Sequence, residues 1–295
     1  MMAEEKSHSR FLFAPSLRSG MEIEMLENRK IGFIGLGNMA SAMIGGMLRQ
    51  KLAEPGNILG NAKTDATRKR AEEAWGIRIL ADNVRVAEEA DIVVLAVKPQ
   101  FFDEVILQLR QLGETAWREK ILVSLAPGKT FDWFDQCFGY PVPVIRCMPN
   151  TPALVGEGCT GLCVSDRVPE ESAAEVKRLT DSFGRTVLVP ERLMDVVSAV
   201  SGSSPAFVFL FIEALADGAV AAGMPRAQAY ELAAQAVLGS AKMVLETGKH
   251  PGQLKDMVCS PGGTTIQGVR ALEEKGFRAA AMDAVAACLE KAGRL

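Results

Sequence analysis

Two glycine-containing segments hold the residue types best suited to chemistry. The first is Gly35-Leu36-Gly37-Asn38-Met39-Ala40, which follows four apolar residues at 31–34 and precedes an alanine-rich segment at 41–48. Strand, tight turn and helix in this order form a dinucleotide-binding fingerprint, because small residues let the backbone approach a pyrophosphate. The helix N-terminus would add N–H groups and positive dipole charge. An ordinary strand–helix corner also tolerates glycines, but this context favours the cofactor site.

The second segment is Ser260-Pro261-Gly262-Gly263-Thr264-Thr265, a glycine turn that leads into a helix predicted to start near Thr264. Backbone N–H groups of Gly263, Thr264 and Thr265 would form a nest for a carboxylate. A threonine hydroxyl beside that nest could hydrogen-bond a reacting atom, and reduction of a C=N bond needs a hydride, orientation and one proton donor. A glycine-rich helix cap with ordinary threonines is the competing interpretation.

The elements that must position these segments fall into two predicted domains, 30–190 and 191–295. Apolar, β-favouring runs predict strands at 31–34, 57–60, 77–80, 91–97, 120–125, 143–148 and 185–189. Helical segments lie between several of these runs, at 41–48, 67–75 and 169–183. This alternation predicts an α/β fold with a Rossmann-type, doubly wound parallel sheet. Residues 191–295 carry almost no strand signal and predict an all-helical second domain.

The end of the second predicted strand indicates which dinucleotide would bind. An NAD-selective site places an acidic residue there to hold the ribose 2′-hydroxyl. This sequence has Asn61-Ala62-Lys63-Thr64 instead, followed by Arg68. Small polar and basic residues suit a 2′-phosphate, so we expect NADPH, with NADH possible. A solvated basic helix start is the alternative, and Asp65 opposes the basic character.

Two further residues are placed near the cofactor by their positions after strands. Lys98 follows the apolar run 91–97, where Pro99 stops the strand, and Asn83 lies in the predicted loop after 77–80. Ligands bind at the carboxyl ends of strands in open α/β sheets, so both are candidate cofactor residues. A solvated lysine at a strand end would account for Lys98 equally well.

The helical half contains a segment, 206–212, that is entirely apolar. Ser203 and Ser204 precede it, and Pro205 is predicted at the first helical position. The run is too short to span a membrane and is followed by Glu213. A helix that is apolar on most faces must be buried against something larger than its own domain. We therefore predict an obligate subunit interface.

Composition excludes several classes of function. The formal net charge is −3 and aromatic residues make up 6% of the chain, which gives no reason to expect nucleic acid or membrane as a partner. Six cysteines form no C-x-x-C pair, which favours reduced thiols, a cytoplasmic protein and no metal site. Histidine-dependent hydrolysis or metal binding would rest on His250, since His8 lies in the predicted tail.

Residues 1–29 are polar and mixed in charge, without sustained periodicity. The apolar run 11–13 is too short for a signal peptide, and several glutamates argue against a transit peptide. We expect a disordered N-terminal tail. Translation could start at Met1, Met21 or Met25, because the fold signal begins near Lys30.

Taken together, these segments resemble the Δ1-pyrroline-5-carboxylate reductases, which catalyse the last step of proline biosynthesis. The resemblance runs from Lys30 to about Gly293. It is carried by residues 32–40 and 96–100, by Met148-Pro149-Asn150-Thr151-Pro152, by 214–218 and 250–256, and by Ser260-Pro261-Gly262-Gly263-Thr264-Thr265. The first segment is shared with many dehydrogenases, whereas the Met-Pro-Asn-Thr-Pro and Ser-Pro-Gly-Gly-Thr-Thr segments are far more specific.

The resemblance implies an NADPH-binding domain and a helical domain that intertwines into a homodimer, often assembled into a decamer. Implied cofactor contacts are Ile34, Gly35, Leu36, Gly37, Asn38, Met39, Asn61, Asn83, Ala96, Val97, Lys98 and Pro99. Implied substrate contacts are Ser260, Gly262, Gly263, Thr264 and Thr265, with Glu191 of a neighbouring subunit at the border of the pocket. Thr265 is the implied catalytic residue, hydrogen-bonding the ring nitrogen while hydride reaches C5.

Other reductases and a non-catalytic protein stay open as alternatives, and one of them is a reductase of another, larger cyclic imine. A β-hydroxyacid dehydrogenase has a similar two-domain plan, but it uses a catalytic lysine, and residues 205–223 contain none. Ketopantoate reductase is disfavoured for the same reason. A non-catalytic NADP-binding sensor would keep the first glycine segment and need not keep the second.

Overall fold

The structure, a computed structural model, describes Leu26 and residues 29–293. The predicted tail over 1–29 lies outside the described residues except for Leu26 and Arg29. Leu26 is buried, and its N–H donates to the Leu52 carbonyl at 2.9 Å. Arg29 Nε donates to Glu175 Oε1 at 3.0 Å. These two residues therefore belong to the folded part, and the predicted tail extends too far at its C-terminal end.

The chain forms two compact units, of which the first ends at Gly202 and the second begins at Ser203. The first unit holds one eight-stranded sheet in the order β3-β2-β1-β4-β5-β6-β7-β8. Its strands are β1 Ile31–Ile34, β2 Ile58–Asn61, β3 Arg78–Ile79, β4 Ile92–Leu95, β5 Ile121–Ser124, β6 Val144–Met148, β7 Gly158–Val164 and β8 Gly184–Leu188. All neighbouring strands are parallel except β6 and β7, so the last two strands run opposite to the first six.

Helices cover both faces of this sheet, which confirms the doubly wound architecture. They are α1 Asn38–Arg49, α2 Asp65–Trp75, α3 Asn83–Glu89, α4 Phe102–Leu109, α5 Gly113–Trp117, α6 Phe131–Phe138, α7 Glu170–Asp181 and α8 Met194–Val197. Apolar residues of α1 and α7 pack on one face of the sheet, and those of α3, α4 and α6 pack on the other. The continuous apolar runs of β1 and β4 follow from burial on both sides.

Several predicted elements differ from the structure in extent. The strand predicted over 91–97 ends at Leu95, because the chain leaves the sheet there to form a loop beside β1. Strand β7 was not predicted, since its sequence, Gly158–Val164, contains two glycines and follows a glycine-rich turn. Asn83 is the first residue of α3 rather than a loop residue, because Asp82 accepts a hydrogen bond from Arg85 N and caps the helix.

The segment after β8 packs on the last strands before the second unit begins. Met194 of α8 joins Met148 and Cys163 in a small apolar cluster. A turn of π-helix, Ser198–Gly202, follows, and Asn150 Nδ2 donates to the Ser201 carbonyl at 2.9 Å. Residues 191–202 are thus part of the first unit in the folded chain. The domain boundary between 190 and 191 stays a prediction.

The second unit is helical, as predicted. Its helices are α9 Ser204–Ala221, α10 Arg226–Thr247, α11 Pro251–Val258, α12 Thr264–Glu274 and α13 Phe277–Ala292. Helix α9 begins at Ser204, so Pro205 is its second residue and not its first. Ala216 of α9 packs against Ala229 and Ala233 of α10. Small side chains at this contact let the two helices approach closely.

Most large apolar side chains of the second unit are exposed in the single chain. Phe209, Leu210, Leu232, Leu238 and Met282 are each more than half exposed. Among the described residues, one helical stretch, Glu191–Ala221, which begins in the first unit, is long enough to span a membrane and contains an 18-residue window with a mean hydropathy of 1.6. A single stretch of this kind is weak evidence for a membrane, and an apolar surface of this extent also suits a subunit interface.

Candidate functional site

The loop after β1 lies at the point where the strand order reverses, which is where open α/β sheets bind ligands. Gly35 N donates to the Asn61 carbonyl at 2.9 Å, and Ala96 N donates to the Ile34 carbonyl at 2.9 Å. The φ angle of Gly35 is +96°, and a Cβ there would lie 2.8 Å from the carbonyl carbon of Ala96. Glycine is therefore required for the β1 and β4 loops to meet.

The start of α1 has the geometry that a pyrophosphate needs. Gly37 precedes the helix in an extended conformation and provides no side-chain cap, so the first-turn N–H groups are available to a ligand. A Cβ at Gly37 would meet nothing within 4 Å, which leaves space for a bound group. Asn38 is exposed beside it, and the first turn carries no acidic residue. These residues fit the phosphates of a dinucleotide.

The other predicted cofactor residues around this loop fall into two groups. Ile34 and Leu36 are almost completely buried, so only their backbone could contact a cofactor. Met39, Ala96 and Val97 are half-buried, and Lys98 and Pro99 are exposed after β4. The structure brings the loops of β1 and β4 together.

A chain of hydrogen-bonded side chains joins the predicted residues Asn61 and Asn83. Arg68 Nη1 donates to Asn61 Oδ1 at 3.3 Å, and Asn61 Nδ2 donates to Asn83 Oδ1 at 3.0 Å. Asn83 Nδ2 then donates to Gln108 Oε1 at 2.8 Å. Asn61 is buried, and the chain of bonds fixes its amide next to the β1 loop. Asn61 and Asn83 are therefore held as one group.

The charges at the end of β2 are mostly basic but partly paired. Arg68 Nη2 forms an ion pair with the exposed Asp65. This hydrogen bond, together with the positive charge of Arg68, lowers the pKa of the Asp65 carboxyl. Lys63 Nζ lies 4.7 Å from the centre of the Phe101 ring, a cation–π distance. The site thus carries positive charge where a 2′-phosphate would bind.

Glu191 has partners within its own chain. Its Oε1 accepts a hydrogen bond from Arg146 Nη1 at 2.9 Å and another from Phe131 N at 2.8 Å. The Arg146 side chain is 3% exposed, on the middle of β6. This pair does not follow from any local sequence pattern, although an arginine inside the apolar strand Val144–Met148 is a signal that a buried partner must exist.

The glycine-threonine segment of the second unit forms a turn that opens into α12. Gly262 has φ of +69°, and Gly263 N donates to the Ser260 carbonyl at 3.1 Å. A Cβ at Gly263 would lie too close to Ser260 Oγ, so a side chain there would displace the Ser260 hydroxyl. The expectation that the Gly263 N–H is available to a ligand is wrong, because the turn uses it.

The first turn of α12 keeps the rest of the predicted nest. Gly263 precedes the helix in an extended conformation without a side-chain cap, which leaves the N–H groups of Thr264 and Thr265 to bind a carboxylate. Both threonines are exposed in the single chain, and so are Ser260 and Gly262. This arrangement presents N–H and hydroxyl donors on one exposed helix end.

His250, the candidate for histidine-dependent chemistry, has a structural role. His250 Nδ1 accepts a hydrogen bond from Gly252 N at 3.0 Å and caps α11, which explains its presence without catalysis. All six cysteines are free thiols. Across Leu26 and residues 29–293, no cluster of histidine, cysteine or carboxylate side chains could hold a metal ion.

Family models match both parts of the chain. Residues 191–295 match the family model for pyrroline-5-carboxylate reductase dimerisation, and residues 30–128 match that of NADP oxidoreductases described as coenzyme F420-dependent. The chain is 48% identical to the pyrroline-5-carboxylate reductase of Escherichia coli over 90% of this chain and 98% of that protein. Identity to the Methanosarcina acetivorans pyrroline-5-carboxylate reductase is 44%, over 92% and 99%.

Solved structures of pyrroline-5-carboxylate reductases are also similar to this chain. A pyrroline-5-carboxylate reductase from Coxiella burnetii superimposes with a TM-score of 0.85 at 33% identity, covering 91% of this chain and 98% of that chain. The Plasmodium falciparum pyrroline carboxylate reductase, solved with NADP bound, gives 0.79 at 33% identity with the same coverage. The resemblance inferred from the sequence is confirmed, and the match to the dimerisation model indicates homo-oligomerisation. This chain belongs to the pyrroline-5-carboxylate reductase family.

Proposed function

We propose that this protein reduces L-1-pyrroline-5-carboxylate to L-proline with NADPH, in the last step of proline biosynthesis. The observation that carries the proposal is the 48% identity to the Escherichia coli enzyme over 98% of that enzyme's length. Two helix starts preceded by glycine and lacking side-chain caps, those of α1 and α12, support it. The first suits a pyrophosphate, and the second suits a carboxylate.

The first unit would hold the cofactor by its backbone and amide groups. First-turn N–H groups of α1 bind the pyrophosphate, with Gly35, Gly37 and the backbone of Leu36 lining the loop. Asn61 and Asn83 hydrogen-bond the adenosine ribose or its 2′-phosphate. The dihydronicotinamide, when bound, supplies the hydride. Ala96, Val97, Lys98 and Pro99 are proposed to border the same crevice, because they follow β4 next to the β1 loop.

The second unit would hold the imine. The substrate carboxylate binds Ser260, the Gly262–Gly263 turn and the N–H groups of Thr264 and Thr265. The Thr265 hydroxyl, or a water that it orients, hydrogen-bonds the ring nitrogen, while C5 accepts the hydride. An imine nitrogen is basic enough to be partly protonated near neutral pH, so no histidine acid is required. This agrees with the capping role of His250.

Glu191 is proposed to border the substrate pocket of a neighbouring subunit. Its Oε1 is held by Arg146 and Phe131, which leaves Oε2 to face a ligand. Fixing one carboxylate oxygen within the chain would orient the other. The proposed role is therefore compatible with the ion pair, and the pair supplies the positioning.

We also propose that the functional form is a cytoplasmic homodimer, assembled into a decamer, with residues 191–295 as the dimerisation and substrate domain. Support comes from the dimerisation model, which begins at residue 191, and from the exposed apolar side chains of α9 and α10. A second copy of the chain would cover these side chains. The free thiols suit a reducing compartment.

The direct test is oxidation of NADPH by the purified full-length protein with pyrroline-5-carboxylate, with NADH in parallel. Imine-dependent turnover and formation of proline are expected. Binding of NADPH without turnover would overturn the proposed reaction and favour another imine substrate or an NADP-binding sensor. Turnover of a β-hydroxyacid but not of the imine would favour the dehydrogenase alternative.

A further inference from the structure

We propose that Asp65 tunes the preference for NADPH over NADH by competing with the cofactor's 2′-phosphate for Arg68. In this proposal Arg68 is the residue that binds the phosphate, and Asp65 is a positioning residue that acts through it. The inference rests on the proposed use of a nicotinamide dinucleotide and goes beyond it, because it assigns the selectivity to one pair of side chains.

The guanidinium of Arg68 lies at the end of β2. Strand β2 ends at Asn61, which is in register with Ile34 at the end of β1, directly beside the glycine loop. In this fold the group after β2 contacts the 2′ position of the adenosine ribose. Arg68 reaches back from α2 to this point, where its Nη1 donates to the Ala62 carbonyl at 2.9 Å. Its guanidinium is therefore anchored at the 2′ position.

The hydrogen bonds that join Arg68, Asn61 and Asn83 have a defined direction. A guanidinium can only donate, so Asn61 turns its Oδ1 towards Arg68 and its Nδ2 towards Asn83. Asn83 in turn donates to Gln108. Each asparagine amide keeps one further N–H. The end of β2 thus offers donors and positive charge, which suit a phosphate better than the 2′-hydroxyl of NADH.

Asp65 occupies the part of Arg68 that a phosphate would bind. Arg68 Nη2 is held by Asp65, three residues earlier on α2, whose side chain is 82% exposed. Nη1 already donates to Asn61 and Ala62, so the edge formed by Nε and Nη2 is the one that could otherwise make two parallel bonds to a phosphate. An exposed ion pair contributes little, so a phosphate can displace the carboxylate at small cost. Asp65 therefore weakens NADPH binding by a modest factor and leaves NADH binding unaffected.

The test measures dissociation constants of NADPH and NADH by nicotinamide fluorescence on the full-length protein, without imine. We expect Asp65→Asn to tighten NADPH binding by roughly threefold to fivefold and to change NADH binding by less than about twofold. We expect Arg68→Gln to weaken NADPH binding by roughly tenfold and to affect NADH little. Glu73→Gln, which removes an equal charge from an exposed position two turns along α2, is the control and should change neither.

A double variant separates this mechanism from simple repulsion. If Asp65 acts through Arg68, then Asp65→Asn brings no gain in the Arg68→Gln background. A gain that persists there, or an equal gain for NADH, would overturn the proposal. Absence of imine turnover together with the expected binding changes would refute the proposed reaction and leave this inference standing. Normal turnover together with unchanged NADPH binding in Asp65→Asn would refute this inference and leave the proposed reaction standing.

Discussion

Arg146 and Glu191 form an ion pair that joins the middle of the sheet to the segment after its last strand. Nη1 of the arginine lies 2.9 Å from Oε1 of the glutamate, and the two side chains are 3% and 32% exposed. The same oxygen accepts the N–H of Phe131 at the start of α6. One carboxylate therefore neutralises a buried guanidinium and fixes a helix start.

Removal of this carboxylate should destabilise the fold. In Glu191→Ala the guanidinium of Arg146 stays buried without its partner, which typically costs about 3 kcal/mol. We expect the free energy of unfolding in urea to fall by about that amount. Glu119→Ala, an exposed glutamate in a loop of the same unit, is the control and should cost less than about 0.5 kcal/mol. Equal stability of the two variants would show that the pair contributes nothing.

Two glycines of the β1 loop should respond differently to alanine. Gly35→Ala places a Cβ 2.8 Å from the Ala96 backbone at a φ of +96°, so we expect a loss of about 2 kcal/mol or more in stability. Gly37→Ala meets nothing within 4 Å and should cost less than about 1 kcal/mol. Its methyl group would, however, enter the space proposed for the pyrophosphate. Thermal unfolding and NADPH titration of both variants distinguish a fold defect from a binding defect.

Thr265 should matter for turnover and not for folding. Thr265→Val keeps the β-branched shape and removes the hydroxyl, so we expect kcat/KM for the imine to fall at least roughly tenfold, about 1.4 kcal/mol. Stability should change by less than about 0.5 kcal/mol, because the side chain is exposed. Thr247→Val, at the exposed end of α10, serves as the matched control. Unchanged kinetics in Thr265→Val would exclude the catalytic role.

Stability should fall at alkaline pH because of a buried thiol. Burial, with a smaller contribution from the Glu191 carboxylate, raises the pKa of Cys163 to about 12. An unfolded cysteine has a pKa of about 8.5, so between these values the folded state holds a proton that the unfolded state releases. The free energy of unfolding therefore decreases as the pH rises from about 8.5 towards 12. Urea unfolding at several alkaline pH values should show a shallower decrease in Cys163→Ala than in the wild type, and identical slopes would contradict this account.

The subunit interface can be tested with two leucines of similar exposure. Leu210 on α9 is 71% exposed in the single chain, and Leu107 on α4 is 66% exposed. Only Leu210 lies in the segment that matches the dimerisation model. We expect Leu210→Asp to shift the protein towards monomer in sedimentation velocity, because burial of a charge against a second copy is costly. Leu107→Asp should leave the oligomer unchanged. The reverse result would place the interface on the first unit.

The sequence determined the features that depend on neighbouring residues. The glycine loop between β1 and α1 was predictable, because an apolar run, two glycines and a helical segment follow one another within ten positions. The start of α12 at Thr264 followed from the turn residues before it in the same way. The alternation of strands and helices was sufficient to predict the doubly wound sheet, and the change to helices alone was sufficient to predict the helical second unit.

Only the tertiary structure decided the features that join distant parts of the chain. The reversal of β7 and β8 depends on pairing with β6, and a strand's direction leaves no trace in its own composition. Arg146 and Glu191 are 45 positions apart, and Asn83 and Gln108 are 25 apart, so no local pattern connects them. The use of the Gly263 N–H within its own turn was likewise decided by backbone geometry. Local signals specify which elements form, whereas packing selects which side chains meet.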